Sequence, residues 1–262
     1  MTGARKRYLL LGITLFFLVA IWFLPPISQP LVYHDLADKR TLWGIPNFAN
    51  VTSNLPFLLV GIVGLQSMRR AHVGSGLLAA YGVLFVGIFL TGIGSGYYHY
   101  SPDNTTLVWD RLPMTLVFMS LSAATVAELV DYRLGVRLLW PLLLLGIVSV
   151  WWWHVTELRG QGDLRLYGLV QYYPMLFLPL VLWLYYDPSH QRTLKPLMWV
   201  VIWYVIAKLG ESFDKPVYHA IGISGHTLKH IAAALATLYL VILFERKHVD
   251  KGYTAQTRKT LP

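Results

Sequence analysis

The sequence predicts an all-α fold: a polytopic transmembrane helix bundle with seven core helices and one extra N-terminal helix. Apolar residues make up 55% of the 262 residues and charged residues only 13%, whereas soluble domains carry roughly 25% charged residues. Apolar stretches long enough to cross a bilayer, about 20 residues each, lie at about 8–26, 48–68, 76–98, 107–128, 134–153, 166–186, 194–212 and 226–245. The many Trp and Tyr residues fit the aromatic belts at membrane surfaces.

The distribution of basic residues predicts the orientation of the bundle. With a cytoplasmic N-terminus, most of the 22 Lys and Arg fall on the cytoplasmic side, as the positive-inside rule requires. We therefore expect both termini in the cytoplasm, and we attribute the net charge of +9 to topology rather than to nucleic-acid binding. The basic residues on that side are Arg5, Lys6, Arg7, Arg69, Arg70, Arg133, Arg137, Arg192, Lys195, Arg246, Lys247, Lys251, Arg258 and Lys259.

The helical pattern divides the chain into three parts. Residues 1–30 are expected to form an N-terminal membrane anchor helix, residues 31–247 the seven-helix domain, and residues 248–262 a basic cytoplasmic tail. His248, at the start of that tail, is expected to face solvent. A cleaved signal peptide is the alternative for the first part. The long apolar run and the lack of an A-x-A cleavage site favour an uncleaved anchor.

Polar residues that can carry chemistry collect at the non-cytoplasmic ends of three helices. The third apolar stretch ends at His99, the fourth begins near Asp110, and the last begins with His226 and His230. Residues four apart share one face of a helix, so His226 and His230 point the same way, as do Ser95 and His99. The chain has no cysteine, so a transition metal must be held by His, Asp or Glu.

Three neutral imidazoles leave the fourth position of a tetrahedral zinc ion open, which is typical of a catalytic site. In that interpretation Asp110 moves a proton between water and a leaving nitrogen, and Ser95 hydrogen-bonds the oxyanion. Each residue taken alone has a structural alternative. The histidines can be interfacial, Ser95 can pack helices together, and Asp110 can cap its helix.

Four segments together resemble a known family. They are the stretch Asn47–Asn54, the stretch Gly94–His99, the stretch Asp110–Met114, and the pair His226 and His230. In order and spacing they are similar to the alkaline ceramidases, which belong to a superfamily of seven-helix membrane hydrolases that includes the adiponectin receptors. The resemblance covers about residues 33–247 and implies that His99, His226 and His230 hold zinc, that Asp110 shuttles protons and that Ser95 assists at the oxyanion.

The sequence also departs from that family. The first helix is an addition, and Arg111 stands where an acidic residue commonly follows the Asp. Family members bind calcium through carboxylates before the first core helix. Here Asp35, Asp38 and Asn47 offer a possible second metal site, which falls short of the about six to eight oxygens that calcium takes. A further expectation is that Glu211 and Asp214 orient a metal-binding histidine, with solvated loop carboxylates as the alternative.

The expected function is zinc-dependent hydrolysis of the amide bond of an N-acyl lipid in the bilayer, with ceramide as the expected substrate. One alternative is a non-catalytic receptor or scaffold that uses the same zinc structurally. The other is a proton-coupled transporter, although the matching broken helices typical of transporters are not visible in the sequence.

Overall fold

A computed structural model describes residues 2–187 and 191–249 of the chain. The described part contains eight helical stretches that are long and apolar enough to cross a membrane, which confirms the all-α, multi-pass bundle. Its α-helices are α1 (Gly3–Ala20), α2 (Phe48–Thr52), α3 (Leu55–Met68), α4 (Ser75–Tyr100), α5 (Asn104–Leu129), α6 (Tyr132–Leu158), α7 (Arg165–Leu184), α8 (Gln191–Ser212), α9 (Asp214–Ile221) and α10 (Gly225–His248).

The first span lies nearer the N-terminus than the apolar run suggested. It was predicted at about 8–26 and covers Gly3–Phe23, with a last turn of 3-10 helix. Pro25 and Pro26 explain the early end, because the residue before a proline is pushed out of the helical region. Leu24 is accordingly extended, with a ψ of 145°.

Two local features were not predicted. The first core span is broken into α2 and α3 at Ser53 and Asn54, just before Pro56, which sits in the first turn of α3 where its missing N–H costs nothing. Between the last two spans lies the short helix α9, none of whose residues is buried. A helix of eight residues is too short to produce a membrane-span pattern.

Small residues let the core helices pack closely. α10 packs against α8 and α3, while α4 packs against both α3 and α5. Close packing matters because lipid tails are as apolar as the helices, so van der Waals contact must hold the helices together. The core is centred on large side chains that are almost completely buried, among them Tyr81, Leu84, Phe85, Ile88, Leu139, Leu178, Leu197 and Phe244.

A buried polar cluster joins α4, α5 and α10 at the end where α10 finishes. The Glu128 carboxylate pairs with Lys247 and lies 2.7 Å from His248 Nε2, and the Tyr81 hydroxyl donates to it over 3.1 Å. His248 was expected to face solvent at the start of the tail, which is wrong. It is buried because the Glu128 carboxylate needs partners inside the bundle. The rest of the predicted tail, 250–262, lies outside the described residues.

The alternation of helix directions brings the ends of several helices together at the opposite end of the bundle. α4 and α8 finish there, and α3, α5 and α10 begin there, as their contacts with one another require. Every residue of the predicted histidine, aspartate and serine set lies at this end. The fold therefore places these side chains near one another without any long loop.

Orientation in the membrane can be tested in this cysteine-free chain. We expect a cysteine at Gln161, an exposed loop residue at the histidine end, to react with a membrane-impermeant thiol reagent in intact cells. A cysteine at His72, which is exposed at the opposite end, should react only after the membrane is opened. Labelling of His72→Cys but not Gln161→Cys would invert the predicted orientation.

Candidate metal and catalytic site

Three buried imidazoles form the centre of the site. His99, His226 and His230 are each at most 5% exposed, and one potential ligand atom from each lies within 4.8 Å of the others. The Nε2 atoms of His99 and His226 are 3.2 Å apart. The structure thus brings together the three histidines that the sequence singled out, in a group that could hold a metal ion.

Hydrogen bonds at the start of α10 fix the two histidines of that helix. Ser224 caps the helix by accepting the Thr227 N–H over 2.9 Å. The Asp214 carboxylate accepts the backbone N–H of His226, also over 2.9 Å. We expected Asp214 to orient the ring of a metal-binding histidine. Instead, it holds the backbone of His226.

A serine that the sequence reasoning missed orients His230. Ser53 Oγ donates to the backbone oxygen of Asn50 over 3.1 Å and lies 2.8 Å from His230 Nδ1. Because the hydroxyl proton is used on Asn50, the oxygen accepts from an Nδ1–H of His230. That tautomer leaves the lone pair of His230 Nε2 free for a metal, as in other metal sites where an outer partner fixes the ring.

Asn50, in α2, connects the first core span to α10. Its side-chain oxygen accepts from Ser224 Oγ over 3.1 Å and from Thr227 Oγ1 over 2.9 Å. Asn47 in turn donates to the backbone oxygen of His99 over 2.9 Å. In the sequence, the stretch Asn47–Asn54 stood out only because it resembles the ceramidase family. The sequence therefore marked this stretch as important, but it did not reveal which contacts its residues make.

A glycine contact places Ser95 and Asp110 side by side. A Cβ at Gly94 would collide with the carbonyl oxygen of Trp109, so only glycine lets α4 and α5 approach this closely. The next residue along α4 is Ser95 and the next along α5 is Asp110, so the contact brings these two residues near each other. Both line the same cavity as His230.

The donor set fits zinc. Zinc–imidazole bonds of about 2.0–2.1 Å at tetrahedral angles put two ligand nitrogens roughly 3.3 Å apart, and the observed separation between His99 and His226 is 3.2 Å. Three imidazoles with no thiolate also match the ligands of open, catalytic zinc sites. The residues present are therefore suited to the metal that the resemblance implied.

A partly buried ion-pair network next to the cluster was not predicted. Glu211 pairs with Lys208 and, over 2.5 Å, with Lys229, which lies between the two histidines of α10. Glu211 was expected to orient a histidine, but its partners are the ammonium groups of two partly buried lysines. Lys208 and Lys229 line the cavity that holds Asp110. A lysine between two histidines looks like ordinary helix surface in a sequence, which explains why it was passed over.

The residues considered for calcium have other partners. Asp35 pairs with Lys215 and Lys39, whose hydrogen bonds lower its pKa to about 2. The Arg40 guanidinium similarly lowers the pKa of Asp38. With Asn47 bonded to His99, these side chains are engaged in salt bridges and backbone contacts rather than in an oxygen shell.

Three hollows surround the cluster. An apolar cavity of about 110 Å³ has His230, Asp110 and Ser95 at its polar end. A groove of about 370 Å³ between α7 and α8 shares Tyr204 and Lys208 with that cavity. On the other side, a hollow of about 340 Å³ near α9 reaches His226.

Fold and cluster define a multi-pass membrane protein with a buried three-histidine group that can hold a metal ion. The sequence profile of the Ceramidase family matches residues 42–261, so the chain belongs to the ceramidase family, as the resemblance predicted. The match includes the histidines, Ser95 and Asp110, whereas α1 precedes it. A comparison with curated proteins finds no significant match. Membership supports hydrolysis of a ceramide-type amide and a lipid substrate.

We expect metal content to depend on the cluster. Elemental analysis of detergent-purified protein should show about one transition metal per chain, lost in His226→Ala/His230→Ala because two of three ligands are gone. Ser53→Ala should weaken metal affinity by roughly 10–100-fold, since it removes the partner that fixes a ligand ring. The matched control is His219→Ala, an exposed histidine of α9. Equal metal in the double variant and the control would contradict the site.

Glu211 should be important for stability. Glu211→Gln leaves Lys208 and Lys229 without a counterion at sites where their side chains are only 26% and 15% exposed. Breaking a fully buried ion pair costs about 3 kcal/mol or more. Because this network is only partly buried, we expect a smaller loss of stability, observed as unfolding in mixed micelles at lower denaturant. Asp35→Asn, at an exposed pair, is the control and should change little. An unshifted transition in Glu211→Gln would refute the structural importance of the network.

Proposed function

We propose that this protein is a zinc-dependent amidohydrolase of the alkaline ceramidase type, which cleaves ceramide into a sphingoid base and a fatty acid. One observation carries the proposal: His230, a member of the three-histidine cluster, lines the same apolar cavity as Asp110 and Ser95. A metal site, a proton carrier and a space for a hydrocarbon chain are the components that hydrolysis of a lipid amide requires.

The three histidines would hold the zinc ion through ring nitrogens, with Ser53 fixing the tautomer of His230. An ion held there would supply Lewis acidity, which would activate a water molecule as the nucleophile and polarise the substrate carbonyl. The protein contributes a buried, water-poor setting, in which the electrostatic stabilisation of developing charge is stronger than in water.

Asp110 is the proposed proton carrier. Its carboxylate takes a proton from the attacking water as the new C–O bond forms, and returns that proton to the nitrogen as the C–N bond breaks. An amide nitrogen is a poor leaving group unless it is protonated, so one residue acting in both directions suits this substrate. The products are a fatty acid and a free amine, and no other reactant is needed.

Ser95 and Lys229 line the same cavity as Asp110. The Ser95 hydroxyl is the proposed donor to the oxyanion that forms on the carbonyl oxygen. Lys229 shares the cavity with Asp110, so its ammonium group favours the ionised carboxylate that must accept the first proton. We assign Lys229 a positioning role, because Glu211 holds its side chain in place.

The cavity and groove suit a substrate that arrives from the bilayer. The apolar walls of the cavity can receive an acyl chain with the amide at the polar end; they include Phe57, Ile88, Met114, Phe118, Leu121 and Leu240. The groove between α7 and α8 offers a lateral path, because its residues Tyr204 and Lys208 also line the cavity. We place this site at the non-cytoplasmic face, within a hydrolase domain of residues 31–247 that follows an anchor of residues 1–30.

Asp110→Asn separates an enzyme from a receptor that uses the metal structurally. The substitution preserves the shape of the side chain and the metal but removes the base, so fatty-acid release from ceramide in mixed micelles should fall by about 10²–10⁴-fold. Ser95→Ala should cost up to roughly 10²–10³-fold, the size of one oxyanion contact. Asp131→Asn, at the helix cap before α6, is the control.

Two outcomes would contradict this mechanism in different ways. Metal-loaded wild-type protein with no turnover on any N-acyl lipid would favour the receptor. Turnover that survives Asp110→Asn unchanged would leave an enzyme with a different proton carrier.

A further inference from the structure

The additional helix α1 packs mainly along one neighbour, α7. Near its start, Leu10 is buried against Val181 and Leu184. In the middle, the Thr14 hydroxyl hydrogen-bonds with the Tyr173 hydroxyl over 2.6 Å. Beyond its end, Arg165 donates to the backbone oxygen of Leu24 over 2.9 Å. Contacts along its length therefore hold α1 in a defined position, although most of its surface is exposed.

A cleft separates α1 from α5 and α6. It has a volume of about 350 Å³ and runs along one face of α1, from Arg7 through Leu11 to Leu18. The opposite wall is formed by α5 and α6, with Val126, Leu138 and Leu142 among its residues. At hydrocarbon depth, an apolar cleft of this kind suits an acyl chain, because it offers contacts to CH₂ groups and almost no polar partner.

One end of the cleft is basic. Arg7 lines that end, and its side chain is 55% exposed while pairing with Asp131 at 3.3 Å. Arg133 and Arg137 are exposed in the first turns of α6, whose Leu134 and Leu138 line the cleft. Lys6 lies next to Arg7 in the chain. The positive charges outnumber the single carboxylate, so this end is complementary to an anionic headgroup.

We propose that the cleft binds an anionic phospholipid from the leaflet at the N-terminal end of α1, opposite the histidine cluster. An acyl chain lies between α1 and the pair α5 and α6, and the phosphate lies against Arg7 and the basic start of α6. The site is distinct from the catalytic cavity, which is lined by none of the residues of α1. One of its walls, α1, precedes the matched ceramidase region, whereas its other walls lie within that region.

Lipid retention in native mass spectrometry tests the proposal. Purified full-length protein is exchanged into detergent with equal amounts of dioleoyl phosphatidylglycerol and dioleoyl phosphatidylcholine, and we expect about one phosphatidylglycerol per chain to be retained. Each basic side chain near a membrane surface contributes about 1 kcal/mol, so Arg7→Gln/Arg133→Gln should lower the preference for phosphatidylglycerol by roughly fivefold per substitution. Equal retention of both lipids by the wild type would overturn the proposed headgroup recognition.

Matched tryptophan substitutions locate the site. Leu142→Trp fills the cleft and should abolish retention, whereas Leu144→Trp, on the outer face of the same helix at 62% exposure, should not. If Leu142→Trp fails to fold, Ser122→Phe fills the cleft from α5. Retention that is unchanged by a folded cleft-filling variant, or retention of added ceramide in place of phosphatidylglycerol, would contradict the assignment. None of these readouts depends on hydrolysis.

Discussion

The site depends on close backbone contact between helices at one end of the bundle. Gly94 lets α4 approach Trp109 of α5, which sets Ser95 beside Asp110. Gly210 and Gly225 meet in the same way, since a Cβ on either would collide with the backbone of the other. That second contact brings the end of α8 to the start of α10, next to the histidines. Because these two positions carry no side chain, the helix ends approach closely and the polar groups converge.

Bringing these polar side chains together inside the bundle removes them from water, and hydrogen bonds and ion pairs with their neighbours offset that cost. Ionisable groups at membrane depth are costly unless they are paired. Glu211 offsets the charges of Lys208 and Lys229, Ser53 satisfies His230, and Asp214 ties down the start of α10. His99 Nδ1, by contrast, is buried with no partner among the described residues. The cluster is thus well ordered around α10 and has an unsatisfied nitrogen on α4.

Sequence patterns predicted the parts of the site that depend on residue type and helical spacing. His226, His230, His99 and Asp110 stand out because reactive side chains interrupt long apolar stretches. The contacts of Ser53 and Lys229 could not be predicted, since they depend on which helix ends meet. The same reason explains the error at His248, whose burial is set by Glu128, a residue 120 positions away in the chain.

Stepwise zinc addition to chelator-treated protein tests the central claim most directly. The account predicts that ceramide hydrolysis rises in proportion to bound zinc and levels off at about one zinc per chain, because a single three-histidine site with an open fourth position activates the water. Hydrolysis that is independent of bound zinc, with the protein folded throughout, would contradict the account.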